Sequence, residues 1–361
     1  MIILGIETSC DETSASIVQR RYGKIKILSN IIFSQINIHK KYGGVVPEIA
    51  GREHVLNILP VIDQALIKAK IKLKQIDAIA VTNKPGLITS LIVGVETAKV
   101  LSYGLSIPLI KINHIEGHIY ANWLSPISKI SNFQFPISKK KSNIFPALIL
   151  TVSGGHTMLI LMKDHGKYQI IGNTVDDATG EAFDKAAKMM GLSYPGGPAV
   201  AAEAAKFDQK EKRYALCVPC YASLPRPMIN SQNYNFSFSG LKTALLYALK
   251  KDKNYKKKIP EYCYEFQQAI IDVLISKTIK AALEFKVNAI MLTGGVSANK
   301  ALREQIKKAV ASKAPDLKLK ITNLSYCGDN AAMIAMAGYY HALKKDFIKW
   351  DKIRADCSVN I

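Results

Sequence analysis

The chain has 361 residues, 48% of them hydrophobic, which is long for one typical domain and enough apolar material for two cores. Its 49 basic residues against 28 acidic ones give a net charge of +21, which points to a polyanionic partner such as nucleic acid. No apolar run approaches the length of a membrane span, and MIILGIETSCDE has no basic region before its apolar stretch, so the expectation is a cytoplasmic protein with no membrane association. Lysine greatly outnumbers arginine, and Ile and Asn are frequent throughout. A biased codon composition therefore competes with a nucleic-acid partner as the source of the charge. The six cysteines, Cys10, Cys217, Cys220, Cys263, Cys327 and Cys357, are scattered. Only Cys217 and Cys220 make a CxxC, with no second pair to complete a zinc site, so reduced thiols are expected and a redox or metal role for CVPC is the alternative.

In chain order, ILGIET and ASIVQR read as strands joined by a short acidic turn, with a third strand over 25–32. A helix is predicted over 47–70, a strand over 78–82, a helix over 89–103 and a short strand over 109–112. Residues 125–143, SPISKISNFQFPISKKKSN, are rich in Ser, Lys and Pro and read as an exposed connection carrying Lys139, Lys140 and Lys141. The pattern then restarts: FPALILTVSGGHTMLILM is strand, tight turn, strand, and YQIIGNT is a third strand. Helices are predicted over 180–190, 199–206, 239–250 and 261–285. Strand AIMLT leads into a helix from about 298, and strand LKLKIT precedes a last helix over 330–343. The alternation is that of an α/β protein. Both halves open on a hairpin whose turn is rich in small or hydrogen-bonding residues, so two similar domains facing a nucleotide cleft are expected.

Several stretches could carry chemistry. In ETSCDETSAS, Asp11 and Glu12 sit among hydroxyls and could serve a cation or a proton transfer, although an ordinary polar hairpin reads the same way. In TVSGGHT, Gly154 and Gly155 allow close backbone approach to a ligand. LTGGVSANKALR ends a strand in two glycines beside a helix start, where α/β domains bind ligands. Asp184 could accept ribose hydroxyls or be a helix-surface acid, and Ser239 of FSFSGLKT reads as an N-cap.

HIEGHIYA puts His114 and His118 four apart, on one face of a helix, where two imidazoles can hold one cation. The zinc-protease motif HExxH has the same spacing with its Glu directly after the first His. Here Glu116 is two residues on, about 200° round the helix, and is badly aimed as a base. The pair is a ligand pair or an ordinary helix, and a third ligand must come from elsewhere. Asp329 in SYCGDNAAMIAMAG, at the head of a small and apolar helix, is either that ligand or an N-cap.

Taken together, LGIETSCDETSASIV, YGGVVPEIAGREHV, KPGLITSLIVGVETAK, NHIEGHIYA, TVSGGHT, DDATGEAFDKAAKMMGLSYPGGP, FSFSGLKTA, GGVSANKALR and YCGDNAAMIAMAGY resemble the bacterial tRNA threonylcarbamoyladenosine transferase family, of the actin/Hsp70/sugar-kinase fold. They run in order over nearly the whole chain. The resemblance implies two duplicated actin-like domains, 1–118 with 325–361 and 119–324. It implies that His114, His118 and Asp329 bind a divalent metal, iron(II) ahead of zinc, and that Asp11 and Glu12 are the acidic hairpin of the site. It puts Thr151, Val152, Ser153, Gly154 and Gly155 along the phosphate and acyl part of the substrate, and Asp184, Gly197 and Asn299 at its adenosine end. The implied reaction is transfer of threonylcarbamoyl from threonylcarbamoyl-AMP to the 6-amino group of the adenosine following the anticodon in tRNAs reading ANN codons. The implied partners are tRNA, a paralogous actin-like protein and a small ATPase. Lys84 stands where the family usually has glycine, and Ala201 where several members carry an acid. Two rival readings are a metallopeptidase, resting on the histidines, and an ATPase or kinase of the same fold, resting on the hairpins. A third is a non-catalytic RNA-binding scaffold, resting on charge.

Overall fold

The computed structural model describes residues 1–21, 24–124, 144–207, 224–359 and 361. Lys139, Lys140, Lys141, Cys217 and Cys220 lie outside the described residues. The chain divides into two units, Met1–Asn143 with Thr322–Ile361, and Ile144–Ile321.

In the first unit β1 (Ile2–Glu7) is buried almost throughout, which suits a central strand covered on both faces. It pairs antiparallel with β2 (Glu12–Arg21), which pairs antiparallel with β3 (Lys24–Ser34). On its other side lie the parallel strands β4 (Ala78–Lys84) and β5 (Leu109–Asn113), giving the order β3-β2-β1-β4-β5. A short α1 (Ile36–His39) precedes α2 (Pro47–Ala69), which starts with proline at N1 where no N–H is needed. Helix α3 (Ile88–Leu105) connects β4 to β5, and α4 (His114–Tyr120) follows β5 directly.

The second unit repeats this plan. Strands β6 (Ala147–Val152), β7 (Thr157–Asp164) and β8 (Lys167–Asn173) form the antiparallel part. Strands β9 (Ala289–Thr293) and β10 (Lys318–Ile321) add in parallel, in the order β10-β9-β6-β7-β8. Read from β8, this is the strand order and sense of the first sheet, so the duplication expected from the two hairpins is present as two five-stranded sheets of one topology. Its helices are α5 (Thr179–Met189), α6 (Gly196–Ala204), α7 (Ser239–Lys251), α8 (Ile259–Glu284) and α9 (Lys300–Lys313). The last helix, α10 (Ala331–Leu343), returns to the first unit and lies on β1, β2 and β4. It approaches so closely that a Cβ at Gly5 would overlap the Ala331 carbonyl oxygen, and one at Gly338 the Ala80 side chain. That contact sets the head of α10 beside the end of β1.

Each unit has its own core, with Leu4, Ile6, Ile17, Ile79 and Val81 in the first and Leu148, Leu150, Phe266 and Ile290 in the second. Each such side chain contributes about 1.5–3 kcal/mol of hydrophobic free energy when fully buried. The division between the units differs from the predicted 118/119 and 324/325. Ile119, Tyr120 and Trp123 stay with the first unit because Tyr120 stacks on Tyr340 of α10, ring centroids 4.7 Å apart. Among the described residues one helix, α3, is long and apolar enough to cross a membrane by length and composition, although no apolar run in the sequence reaches that length. It carries Glu96 and Lys99 and packs on α2 and β4.

The starts of α6 and α9 and the cap of α7 are among the differences from the predicted elements. α6 begins at Gly196, before the expected 199, because the Asp184 carboxylate accepts from the Gly196 N–H at 2.6 Å. α9 begins at Lys300, after a tight turn over Gly295–Ala298. Ser239 is the first residue of α7 and not its cap. Asp176 does that work, accepting from the backbone of Phe238 at 2.8 Å and Ser239 at 3.2 Å and from the hydroxyls of Ser237 and Ser239 at 2.6 Å each. A carboxylate from a distant turn competes better for those amides than a local hydroxyl, because its bonds are charge-assisted.

Candidate metal centre

Asn113 ends β5 and starts α4: its Oδ1 accepts from the backbone of Ile115 at 2.8 Å and Glu116 at 3.3 Å. The helix then carries His114 and His118 on one side, their rings edge to face with centroids 4.7 Å apart. Gly117 faces α10, where a Cβ would press on the Ile334 side chain at 2.6 Å. At the head of α10 the cap is Asn330, whose Oδ1 accepts from Met333 N at 3.1 Å. Asp329 is not the cap. Its Oδ1 lies 3.2 Å from His118 Nε2 and 3.5 Å from His114 Nε2.

These distances test whether the group can hold an ion. Two ligand atoms each about 2.1 Å from one ion at a tetrahedral angle stand roughly 3.4 Å apart. All three ligand atoms lie within 4.8 Å of one another, and both histidines are buried. Two imidazoles and one carboxylate suit iron or zinc and leave coordination positions open. The triad fits a divalent metal.

Behind the triad is a residue that sequence reading missed. Glu7, the last residue of β1, is fully buried, and its Oε2 lies 3.2 Å from His114 Nδ1. Its two oxygens also accept from Ser9 N and from Thr82 Oγ1, at 2.5 Å each. A carboxylate on Nδ1 fixes the His114 tautomer that offers Nε2 to a metal. Burial raises the proton affinity of Glu7, but the His114 imidazole overrides it and holds the carboxyl below its usual range. For His114 burial works downward, yet Asp329 and Glu7 push its pKa up to about 9. The available signal was an acid closing an otherwise apolar strand, a costly placement unless something pairs with it.

The acidic hairpin belongs to this neighbourhood. Burial, then the charges of Asp11 and Asp329, push the Glu12 carboxyl well above its usual range, and the same influences raise the Cys10 thiol. His54 of α2 holds the turn by donating from Nε2 to the Cys10 carbonyl at 2.9 Å while its Nδ1 accepts from Thr13 Oγ1 at 2.7 Å. Glu116 points elsewhere, as its position on the helix requires. Its carboxylate lies 2.9 Å from His341 Nε2 in α10. That geometry removes the general base from the metallopeptidase reading.

The remaining predicted residues sit in the second unit. Thr151 is fully buried, and its hydroxyl has no hydrogen-bond partner among the described residues. Val152 is buried beneath Gly294, which has φ +91° and no room for a Cβ over the Val152 carbonyl. Ser153 Oγ accepts from His156 N at 3.1 Å. Gly154 and Gly155 are exposed, and a Cβ at either would meet open space, so packing does not demand glycine there. The carbonyls of Ser153 and Gly154 accept from Gly180 N and Glu181 N, which ties the turn to the head of α5. Asp184 fixes α6 as described, and half-buried Gly197 follows in its first turn.

Asn299 also has a structural duty. Its Oδ1 caps α9 through Leu302 N at 3.0 Å, and its Nδ2 donates to Gln267 Oε1 at 2.7 Å. Asn299→Ala is therefore expected to lower stability by about 0.5–2 kcal/mol, with Asn299→Asp losing less because it keeps the cap. Urea unfolding checks both. An alanine variant as stable as wild type would mean that the cap contributes nothing.

The model for TsaD, the tRNA N6-adenosine threonylcarbamoyltransferase family, matches residues 26–336. A protein of that name from Dehalococcoides mccartyi is 48% identical over 357 residues, covering 98% of each chain. Another from Bacillus subtilis is 47% identical over 340 residues, 94% of this chain and 90% of its own. Among solved structures, HypF of T. kodakarensis aligns with a TM-score of 0.60 at 12% identity over 98% of this chain and 49% of that one, a likeness of fold alone. With matches of this extent over a chain that also assembles the histidine–aspartate triad, this protein belongs to the tRNA N6-adenosine threonylcarbamoyltransferase family.

Proposed function

We infer that this chain is an acyltransferase that moves the threonylcarbamoyl group from threonylcarbamoyl-AMP to the 6-amino group of the adenosine following the anticodon in tRNAs reading ANN codons, releasing AMP. His114, His118 and Asp329 hold a divalent metal in this reading. The observation that carries it is the triad, with two Nε2 atoms at 3.2 and 3.5 Å from one carboxylate oxygen, in a chain of this family. Iron(II) is our choice from the two-histidine, one-carboxylate donor set, with zinc the alternative. The chemistry such an ion supplies is polarisation of the carbamoyl carbonyl.

The chain's own residues do the rest. Glu7 orients His114 and keeps its Nε2 lone pair available. Acylation forms the N–C bond, breaks the mixed-anhydride C–O bond, frees the AMP phosphate and releases one proton from the amine. We assign that proton to Glu12, with Asp11 beside it, since a carboxyl of raised proton affinity is suited to general base work. In the second unit we assign Thr151, Val152, Ser153, Gly154 and Gly155 to the phosphate and acyl portion of the donor, and Asp184, Gly197 and Asn299 to its adenosine. The buried Thr151 hydroxyl, without a partner among the described residues, supports the first assignment.

Acceptor tRNA is the macromolecular substrate. A paralogous actin-like protein and a small ATPase are the protein partners we propose, in the cytoplasm and away from membrane. Exposed Leu56 and Leu59 on α2 and Val100 on α3 support a protein contact. The test is nucleoside analysis of tRNA from cells depleted of the protein. Threonylcarbamoyladenosine is expected to fall as the protein does, and an unchanged content would overturn the reading.

A further inference from the structure

The end of α7 and the turn after it carry KKDKNYKKK, six lysines and one acid in nine residues. Lys250, Lys251, Lys253, Lys256 and Lys257 are exposed, and none makes an ion pair among the described residues. Other exposed lysines, such as Lys307 and Lys308 of α9, also make no ion pair among the described residues, whereas some are paired. Lys99 pairs with Glu96, Lys206 with Glu203 and Lys185 with Glu181 along their own helices, the usual arrangement of a solvated face.

The one acid of the segment faces inward. Asp252 accepts from Asn254 N at 2.9 Å, from Lys258 Nζ at 2.9 Å and from Tyr262 Oη at 3.1 Å. It staples the turn to the start of α8 and leaves the other five ammonium groups turned outward. The inner face of α7, Leu241, Leu245 and Leu249, is buried in the core of the unit. On the outer face Tyr247 is 65% exposed, three and four residues before Lys250 and Lys251 and so on the same side.

Unpaired lysines on a fixed turn beside an exposed aromatic ring match the chemistry of single-stranded nucleic acid. The phosphates take the ammonium groups, and an unstacked base takes the ring. We propose that this face of the second unit contacts the tRNA substrate, with Lys250, Lys251, Lys253, Lys256 and Lys257 at phosphates and Tyr247 stacked on an unpaired base. The proposal rests on the transferase reading and assigns its acceptor a surface.

The experiment measures affinity of the full chain for an unmodified tRNA transcript across a salt series. Wild type is compared with Lys253→Ser/Lys256→Ser/Lys257→Ser and with Tyr247→Ala. Each phosphate contact contributes about −0.7 to −0.9 to the log–log salt slope, so the triple variant is expected to flatten it by roughly 2 to 3. Tyr247→Ala is expected to weaken binding by about 5- to 150-fold, the loss of one stacked base, with the slope unchanged. A triple variant with wild-type affinity and slope overturns the proposal, as does a wild-type chain with no affinity at low salt. Nucleoside analysis of cellular tRNA tests the transferase reading separately, so it survives or fails independently of this surface.

Discussion

His118→Ala is expected to yield a folded protein that no longer retains its divalent metal and no longer transfers threonylcarbamoyl to tRNA. His118 is fully buried, and its Nε2 is the nearer of the two imidazole nitrogens to Asp329, at 3.2 Å against 3.5 Å. Removing it leaves one histidine and one carboxylate, too few protein ligands for a stable three-ligand site. His114→Ala and Asp329→Ala should behave alike. A graded result is expected one step out. Glu7→Gln keeps the shape of the side chain but weakens its hold on His114 Nδ1, and outer-shell partners of this kind are worth about 10- to 100-fold in metal affinity. Metal analysis of the purified variants, followed by competition titration with a chelator, measures both. Full metal occupancy in His118→Ala would sink the site. Wild-type affinity in Glu7→Gln would reduce Glu7 to a partner of Ser9 and Thr82.

The parts of this protein that were legible in sequence are those set by local pattern. Apolar runs bounded by turn residues gave the strands of both sheets, and the repeated hairpin gave the duplication. The i, i+4 spacing gave the shared face of His114 and His118, and the same periodicity turned Glu116 away. What sequence left open was decided by contacts between distant segments. Asp329 read equally well as a cap or a ligand, and it is Asn330 that caps α10. Glu7 was invisible as a site residue because its partner is 107 positions away and is brought to it by pairing of β1 with β4 and of β4 with β5. Ser239 looked like a cap until Asp176, 63 residues earlier, was found on the same amides. The family resemblance put Asp184 and Asn299 at the adenosine end of the substrate. Both hold helix starts, a duty that the same sequence position predicts equally well.

Glu116 and His341 should make stability depend on pH. Glu116 sits between His114 and His118 on α4, and His341 lies on α10, the helix that follows Asp329, so their contact ties together the two elements that carry the histidine–aspartate triad. The Glu116 side chain is 7% exposed and that of His341 22%, and the imidazole bridges Glu116 at 2.9 Å through Nε2 and Asp346 at 2.7 Å through Nδ1. With a carboxylate on each nitrogen, both ring nitrogens donate and the ring is a cation. Burial opposes that charge, but Glu116 and Asp346 outweigh it and hold the His341 pKa above its ordinary value. A group of raised folded pKa binds its proton more tightly in the native chain than in the unfolded one. Its stabilisation is complete below the unfolded value, about 6.5, and is lost as pH rises through the folded value. Removing one partner of a fully buried ion pair costs about 3–5 kcal/mol, and the partial exposure of His341 reduces this to roughly 2–3 kcal/mol. Metal-free His341→Gln is therefore expected to be less stable than wild type by that amount at pH 6, with the gap closing as pH rises through the raised His341 value. His114, whose pKa is held up to about 9, is present in both proteins, so its titration largely cancels in the difference. Urea unfolding of the pair at several pH values measures the gap. A gap that stays constant as pH rises from 6 far into the alkaline range would show that packing, and not the charge on His341, joins α4 to α10.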